Sequence, residues 1–134
     1  MIFTIENEKI VGELGFGSLP ISPNEIIGYR PYELFAASLI GCSGTLLRNI
    51  LKKKRIEHKR IDMDVSSVRN PNHANRIEQF SITAYIQSDQ QLSKQNAIKL
   101  ADLVVKNCGM IQSVTNSMEL NFTIKSYKIK GGGR

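Results

Sequence analysis

The chain has 134 residues, a formal net charge of +6, and 41% hydrophobic and 22% charged residues. This composition indicates one soluble globular domain and excludes a disordered chain. No apolar run approaches the ~20 residues that span a bilayer, and the N-terminus lacks the pattern of a signal peptide. We therefore expect a cytoplasmic protein with a single domain over residues 1–130 and a flexible tail, GGGR, over 131–134.

The N-terminal residues indicate short strands. Residues 3–11, FTIENEKIV, predict a hairpin with Asn7 near its turn. Residues 12–25 are rich in glycine, proline and serine, which is typical of a loop with room for one more short strand.

A long helix is predicted from Pro31, because proline suits the first turn of a helix and no other proline follows in YELFAASLIGCSGTLLRNILKKKR. The helix is apolar on nearly all sides, so we expect a second copy of the chain to cover it in a homodimer. Gly41 and Gly44 flank Cys42, although each glycine costs a helix about 1 kcal/mol. We expect them to let a helix of the partner subunit approach the thiol.

The remaining residues predict an antiparallel hairpin from residues 61–68 and 78–87, then a second helix and a last strand. Ser93 is the expected N-cap of the second helix, KQNAIKLADLVVKNC, and Cys108 lies at its end. Strands and helices are segregated along the chain. This order predicts an α+β fold, with an antiparallel sheet and a long central helix that carries the first cysteine.

The two cysteines, Cys42 and Cys108, are expected to be reduced in the cytoplasm, either as buried apolar side chains or as a redox pair. Together with His58 and His73 they show no spacing typical of a zinc site, so no metal is expected. A cysteine–histidine hydrolase is conceivable with either histidine. Both histidines lie in polar surroundings, however, which favours solvent exposure.

A basic cluster lies between residues 48 and 60 and includes KKKR. Such a cluster is found on surfaces that bind nucleic acid or membranes. It contains no aromatic side chain on which a base could stack, and cations also stabilise the C-terminal end of a helix. We therefore interpret the cluster as a helix end and expect neither nucleic acid nor membrane as a partner.

The block PYELFAASLIGCSGTLLRNILKKKRI resembles the signature helix of the OsmC/Ohr family of thiol-dependent peroxidases. KLADLVVKNCGMIQSV is similar to the family's second cysteine helix, and the order of elements matches over roughly the whole chain. The resemblance implies one OsmC-like domain in an intertwined homodimer with two active sites at its interface. It also implies that Cys42 attacks the peroxide and Cys108 resolves the product. The substrates would be organic hydroperoxides, the reductant a dithiol such as a lipoylated protein, and no cofactor would be needed.

The resemblance extends unevenly to other residues. Glu33 matches the glutamate of the family's P-x-E-L pattern, whereas the acid of the organic-hydroperoxide-resistance branch falls at Tyr32. That branch places an arginine of the N-terminal strands beside the thiol; here Arg30, or a basic residue of the partner subunit, would substitute. Gly109 follows the second cysteine where many relatives have proline. The alternative function is a catalytically weak OsmC-like protein that binds a small molecule or senses redox state at Cys42.

Overall fold

The computed structural model describes residues 1–129, so the tail predicted at 131–134 lies outside the described residues. The chain forms two compact units, one over Met1–Ser38 and one that begins at Leu39. The single domain expected over 1–130 stays a prediction.

The first unit contains a three-stranded antiparallel sheet in the order β1-β2-β3. Its strands are β1 (Ile2–Ile5), β2 (Ile10–Glu13) and β3 (Ser18–Ile21). The backbone N–H of Glu6 donates to the carbonyl of Lys9 at 2.8 Å and closes the turn that contains Asn7. The predicted hairpin and the additional strand within residues 12–25 are both confirmed.

Helix α1 (Pro31–Lys53) begins at the predicted proline. The N–H of Leu34 donates to the carbonyl of Arg30 at 3.1 Å, which makes Arg30 the N-cap residue. Oε1 of Glu33 accepts the backbone N–H of Arg30 at 3.3 Å. This is the returning half of a capping box, which satisfies a backbone donor at the helix start. The PYEL stretch is thus a helix-start signal, with proline in the first position and glutamate in the third.

The second unit contains a sheet in the order β4-β5-β6, formed by β4 (Arg60–Asn70), β5 (Arg76–Gln87) and β6 (Glu119–Tyr127). Strands β4 and β5 form the predicted antiparallel hairpin. Strand β6, however, pairs parallel to β5, so the expected antiparallel arrangement does not hold for this strand. Parallel neighbours need a long crossover connection. Helices α2 (Lys94–Asn107) and α3 (Gly109–Gln112) supply it.

The hydrophobic core of the second unit joins α1, α2 and the sheet. Its buried members are Leu47, Leu51, Ala84, Ile86, Ala97, Leu100, Ala101, Val104 and Ile124. Because α1 and α2 both pack into this cluster, the two helices that carry the cysteines are held at fixed positions in one core. The predicted α+β class is confirmed.

Helix α1 is long and apolar enough to cross a membrane by length and composition. This corrects the expectation that no segment of the chain could do so. The core helix of a soluble protein passes the same test, and α1 buries Leu39, Ser43, Leu47 and Leu51 along one stripe.

Candidate active site

The two cysteines lie against each other. Cys42 is in the middle of α1, and Cys108 is both the last cap of α2 and the first cap of α3. The thiol of Cys108 donates a hydrogen bond to the sulfur of Cys42. Both are free thiols. The fold therefore brings together two side chains that are far apart in the sequence, and both are free thiols in the structure.

Hydrogen bonds lower the pKa of the Cys42 thiol. The largest contribution is the backbone N–H of Met110, followed by the Cys108 thiol, while burial opposes them and the N–H of Gly109 adds a smaller effect. The two amides belong to the first turn of α3, where N–H groups have no partner within the helix. A thiolate at Cys42 accepts these hydrogen bonds and is therefore stabilised relative to the thiol.

The pKa of Cys108 is shifted in the opposite direction. Its side chain is fully buried. Burial raises the pKa most, the nearby Cys42 sulfur raises it further, and the backbone N–H of Ile111 opposes both. Of the two thiols, Cys42 therefore has the lower pKa.

The glycines beside Cys42 have different surroundings. A Cβ added at Gly44 would lie 3.2 Å from Sδ of Met63, so this glycine leaves room for the end of a methionine side chain of β4. At Gly41 an added Cβ would meet nothing within 4 Å. For both glycines, the close approach of a helix of the partner subunit stays a prediction.

Arg30 and Glu33, the other predicted site residues, pair with each other in the first unit. Nε of Arg30 lies 3.0 Å from Oε1 of Glu33, and a second nitrogen lies 3.7 Å from Glu25. The hydrogen bond from Arg30 lowers the pKa of the Glu33 carboxyl. These contacts belong to the start of α1. The roles expected for both residues beside the thiol stay predictions.

The groups that sequence reasoning missed are the amides of Gly109 and Met110. Backbone donors carry no residue-type signature, so only the junction of two helices at Cys108 could have indicated them. Within residues 1–129, no three His, Cys, Asp or Glu side chains are grouped in a way that could hold a metal ion.

The fold and the site together define the class of protein: an α+β protein whose candidate site is a pair of neighbouring cysteines. The model of the OsmC-like protein family matches residues 22–123, a range that contains both cysteines. The chain belongs to this family.

Solved structures share the fold at low sequence identity. A hypothetical protein from Aquifex aeolicus has a TM-score of 0.82 and 20% identity, with 96% of each chain covered. An OsmC-like protein from Mycoplasma pneumoniae has a TM-score of 0.76 and 14% identity, again with 96% of each chain covered. An organic hydroperoxide resistance protein from Elizabethkingia anophelis has a TM-score of 0.70 and 16% identity over 94% of each chain. No curated protein sequence is significantly similar to the chain.

Proposed function

We propose that the protein is a thiol-dependent peroxidase that reduces organic hydroperoxides through Cys42 and Cys108. The observation that carries this proposal is the hydrogen-bonded thiol pair in which the pKa of Cys42 is lowered and that of Cys108 is raised. Membership of the OsmC-like family supports it, as does the similarity in fold to an organic hydroperoxide resistance protein.

The first step is attack of the Cys42 thiolate on the outer oxygen of ROOH. The O–O bond breaks, a proton is taken up by the departing alkoxide, and the products are ROH and a Cys42 sulfenic acid. The amides of Gly109 and Met110 hold the thiolate before the attack. Cys42 is only partly buried, which is consistent with access of a peroxide to its sulfur.

The second step is attack of Cys108 on the sulfenic sulfur. A disulfide forms and the hydroxyl of the sulfenic acid leaves as water with the Cys108 proton. An external dithiol then reduces the disulfide to two thiols and is itself oxidised to a disulfide. We expect this reductant to be of the lipoyl type. The cycle needs no metal or flavin.

The activity is tested with purified reduced protein, cumene hydroperoxide and dihydrolipoamide. We expect sustained consumption of hydroperoxide by the wild type and none above background by Cys42→Ser. Cys108→Ser should complete one turnover and then accumulate sulfinic acid at Cys42, because no resolving thiol is present. If Cys42→Ser turns over as fast as the wild type, the proposal is wrong.

We also propose that the protein acts as a homodimer, as the family resemblance implies. Large apolar side chains of the first unit are exposed in the single chain, among them Ile2, Ile5, Phe16 and Ile26. Exposed apolar patches favour association with another chain. A cytoplasmic location remains the expectation for a protein whose proposed cycle starts from two reduced thiols.

The alternative is an OsmC-like protein that binds a small molecule or senses redox state with little turnover. It is favoured by one observation: N–H and S–H donors, rather than a cationic side chain, account for the lowered pKa of Cys42. A sensor would form the disulfide with hydroperoxide but would not be recycled by dihydrolipoamide. Sustained turnover in the same assay excludes this alternative.

A further inference from the structure

A cleft of about 800 Å³ opens where helix α1 ends. It is lined by the last turns of α1, the connection to β4 and the turn that follows β5. Its size is that of small-molecule sites, which range from about 300 to 1,000 Å³. Its described lining contains neither cysteine, so the cleft is separate from the thiol pair.

The cleft is rich in unpaired positive charge. The cationic side chains that line it are Arg48, Lys52, Arg55 and Lys59. None of them forms an ion pair with the described part of the chain. The carboxylates of Glu57 and Asp89 also line the cleft and are outnumbered by these cations. Clustered cations in a concave surface attract and concentrate anions.

Arg55 occupies a backbone position that suits glycine. Helix α1 closes with a bond from the N–H of Ile56 to the carbonyl of Leu51 at 2.9 Å and one from the N–H of Arg55 to Lys52 at 3.1 Å. This pattern is a Schellman motif, in which the residue at the position of Arg55 is usually glycine. Arg55 has a φ of 57°, which costs backbone free energy for a residue with a Cβ. The fold itself therefore gives no reason for an arginine here.

His58 is the second residue of the cleft with an energetically unfavourable feature. Its Nδ1 atom is buried and has no hydrogen-bond partner among the described residues. A buried polar atom without a partner destabilises a folded protein. Arg55 and His58 both line the cleft, so two energetically unfavourable features are found in its wall.

We propose that this cleft binds a small molecule that carries a phosphate group. Arginine and lysine are the side chains that bind phosphate best, arginine through its planar fork and lysine as a compact charge. A phosphate group offers three strong acceptor oxygens, enough for several of these donors at once. The cleft is larger than a free phosphate ion, so the group is expected on a larger body.

Calorimetric titration of the full chain with ADP tests the proposal, with adenosine as the uncharged control. We expect ADP to bind and adenosine not to bind. Arg55→Gly should weaken ADP binding about tenfold, because a charge-assisted contact is lost. The same variant should melt at an equal or higher temperature than the wild type, because glycine relieves the strain at this φ. Lys52→Ala provides a second variant with the same expected loss of binding.

Lys53→Ala is the matched control, since Lys53 is a cation of the same helix end that does not line the cleft. It should leave the affinity for ADP unchanged. The proposal is overturned if ADP fails to bind at millimolar concentration, or if Lys53→Ala weakens binding as much as Arg55→Gly does. The proposal is also overturned if the protein binds a DNA duplex more tightly than ADP and if Arg55→Gly, Lys52→Ala and Lys53→Ala all weaken DNA binding equally. Such a result would indicate a diffuse surface that binds nucleic acid.

Discussion

At the scale of single residues, backbone N–H groups are a main cause of the lowered pKa of Cys42. In order of decreasing effect on the pKa, the donors are the amide of Met110, the thiol of Cys108 and the amide of Gly109. An ordinary side-chain substitution leaves an amide in place. Proline is the exception, because it has no N–H and yet fits the first turn of a helix.

Replacing Gly109 by proline should raise the pKa of Cys42 while keeping the fold. Gly109 is the first residue of α3, and the preceding Cys108 has an extended conformation, with φ −87° and ψ 109°, that tolerates a following proline. Because the pKa is lowered, the midpoint of Cys42 alkylation by iodoacetamide should lie at a lower pH than that of an unperturbed cysteine. Loss of the Gly109 donor should move this midpoint to higher pH, as followed by mass spectrometry of the Cys42 peptide.

Gly109→Ala is the control for this change. It retains the N–H, and its Cβ would meet nothing within 4 Å. The alanine variant should therefore titrate like the wild type. An identical midpoint in the proline variant, with an unchanged circular dichroism spectrum, would contradict the role of this amide.

The sequence predicted the two site cysteines but not the groups that tune them. Cys42 and Cys108 could be matched to a family pattern residue by residue. The amide donors could not be predicted, because every residue except proline has an N–H and only the fold selects which ones point at sulfur. The cation expected beside Cys42 stays a prediction, and the hydrogen bonds are an additional cause of the lowered pKa.

At the scale of elements, local signals predicted where helices and strands begin. Pro31 and Ser93 each mark a helix start in the structure as expected. The direction of β6 was not predictable in this way. Alternating residues such as Leu120 and Phe122 indicate a strand with one buried face, and this pattern is the same in parallel and antiparallel pairs. The direction follows from the crossover through α2 and α3.

Loss of the cap of α2 should destabilise the fold. Oγ of Ser93 accepts the backbone N–H of Asn96 at 3.1 Å, and no other side chain is shown to cap this end. Ser93→Ala should lower the free energy of unfolding by about 1 kcal/mol in urea denaturation. Ser38→Ala, the same change inside α1, should cost less, because alanine favours a helix interior. Equal losses in the two variants would show that capping is not the cause.

At the scale of the whole molecule, the proposed homodimer predicts that stability depends on concentration. Association of folded chains stabilises them by mass action, so the melting temperature should rise with protein concentration. Sedimentation velocity should give twice the chain mass at micromolar concentration. A monomer that retains full peroxidase activity would contradict the expected active sites at a subunit interface.

The whole molecule also contains two separate candidate sites. The thiol pair lies where α1 meets the junction of α2 and α3, and the basic cleft lies where α1 ends. The sequence grouped the basic residues correctly but gave no reason to treat them as more than a helix end. The reason is three-dimensional, since the unusual φ of Arg55 and the unpaired His58 nitrogen appear only in the folded chain.

The central claim is that Cys42 and Cys108 form one peroxide-reducing pair. Its most direct test is titration of the fully reduced protein with cumene hydroperoxide, without added reductant, followed by mass spectrometry of the intact chain. We expect one hydroperoxide to be consumed per chain, with loss of two hydrogen atoms as an intramolecular disulfide between Cys42 and Cys108 forms. A chain that consumes no hydroperoxide, or that gains oxygen at Cys42 without forming this disulfide, would contradict the claim.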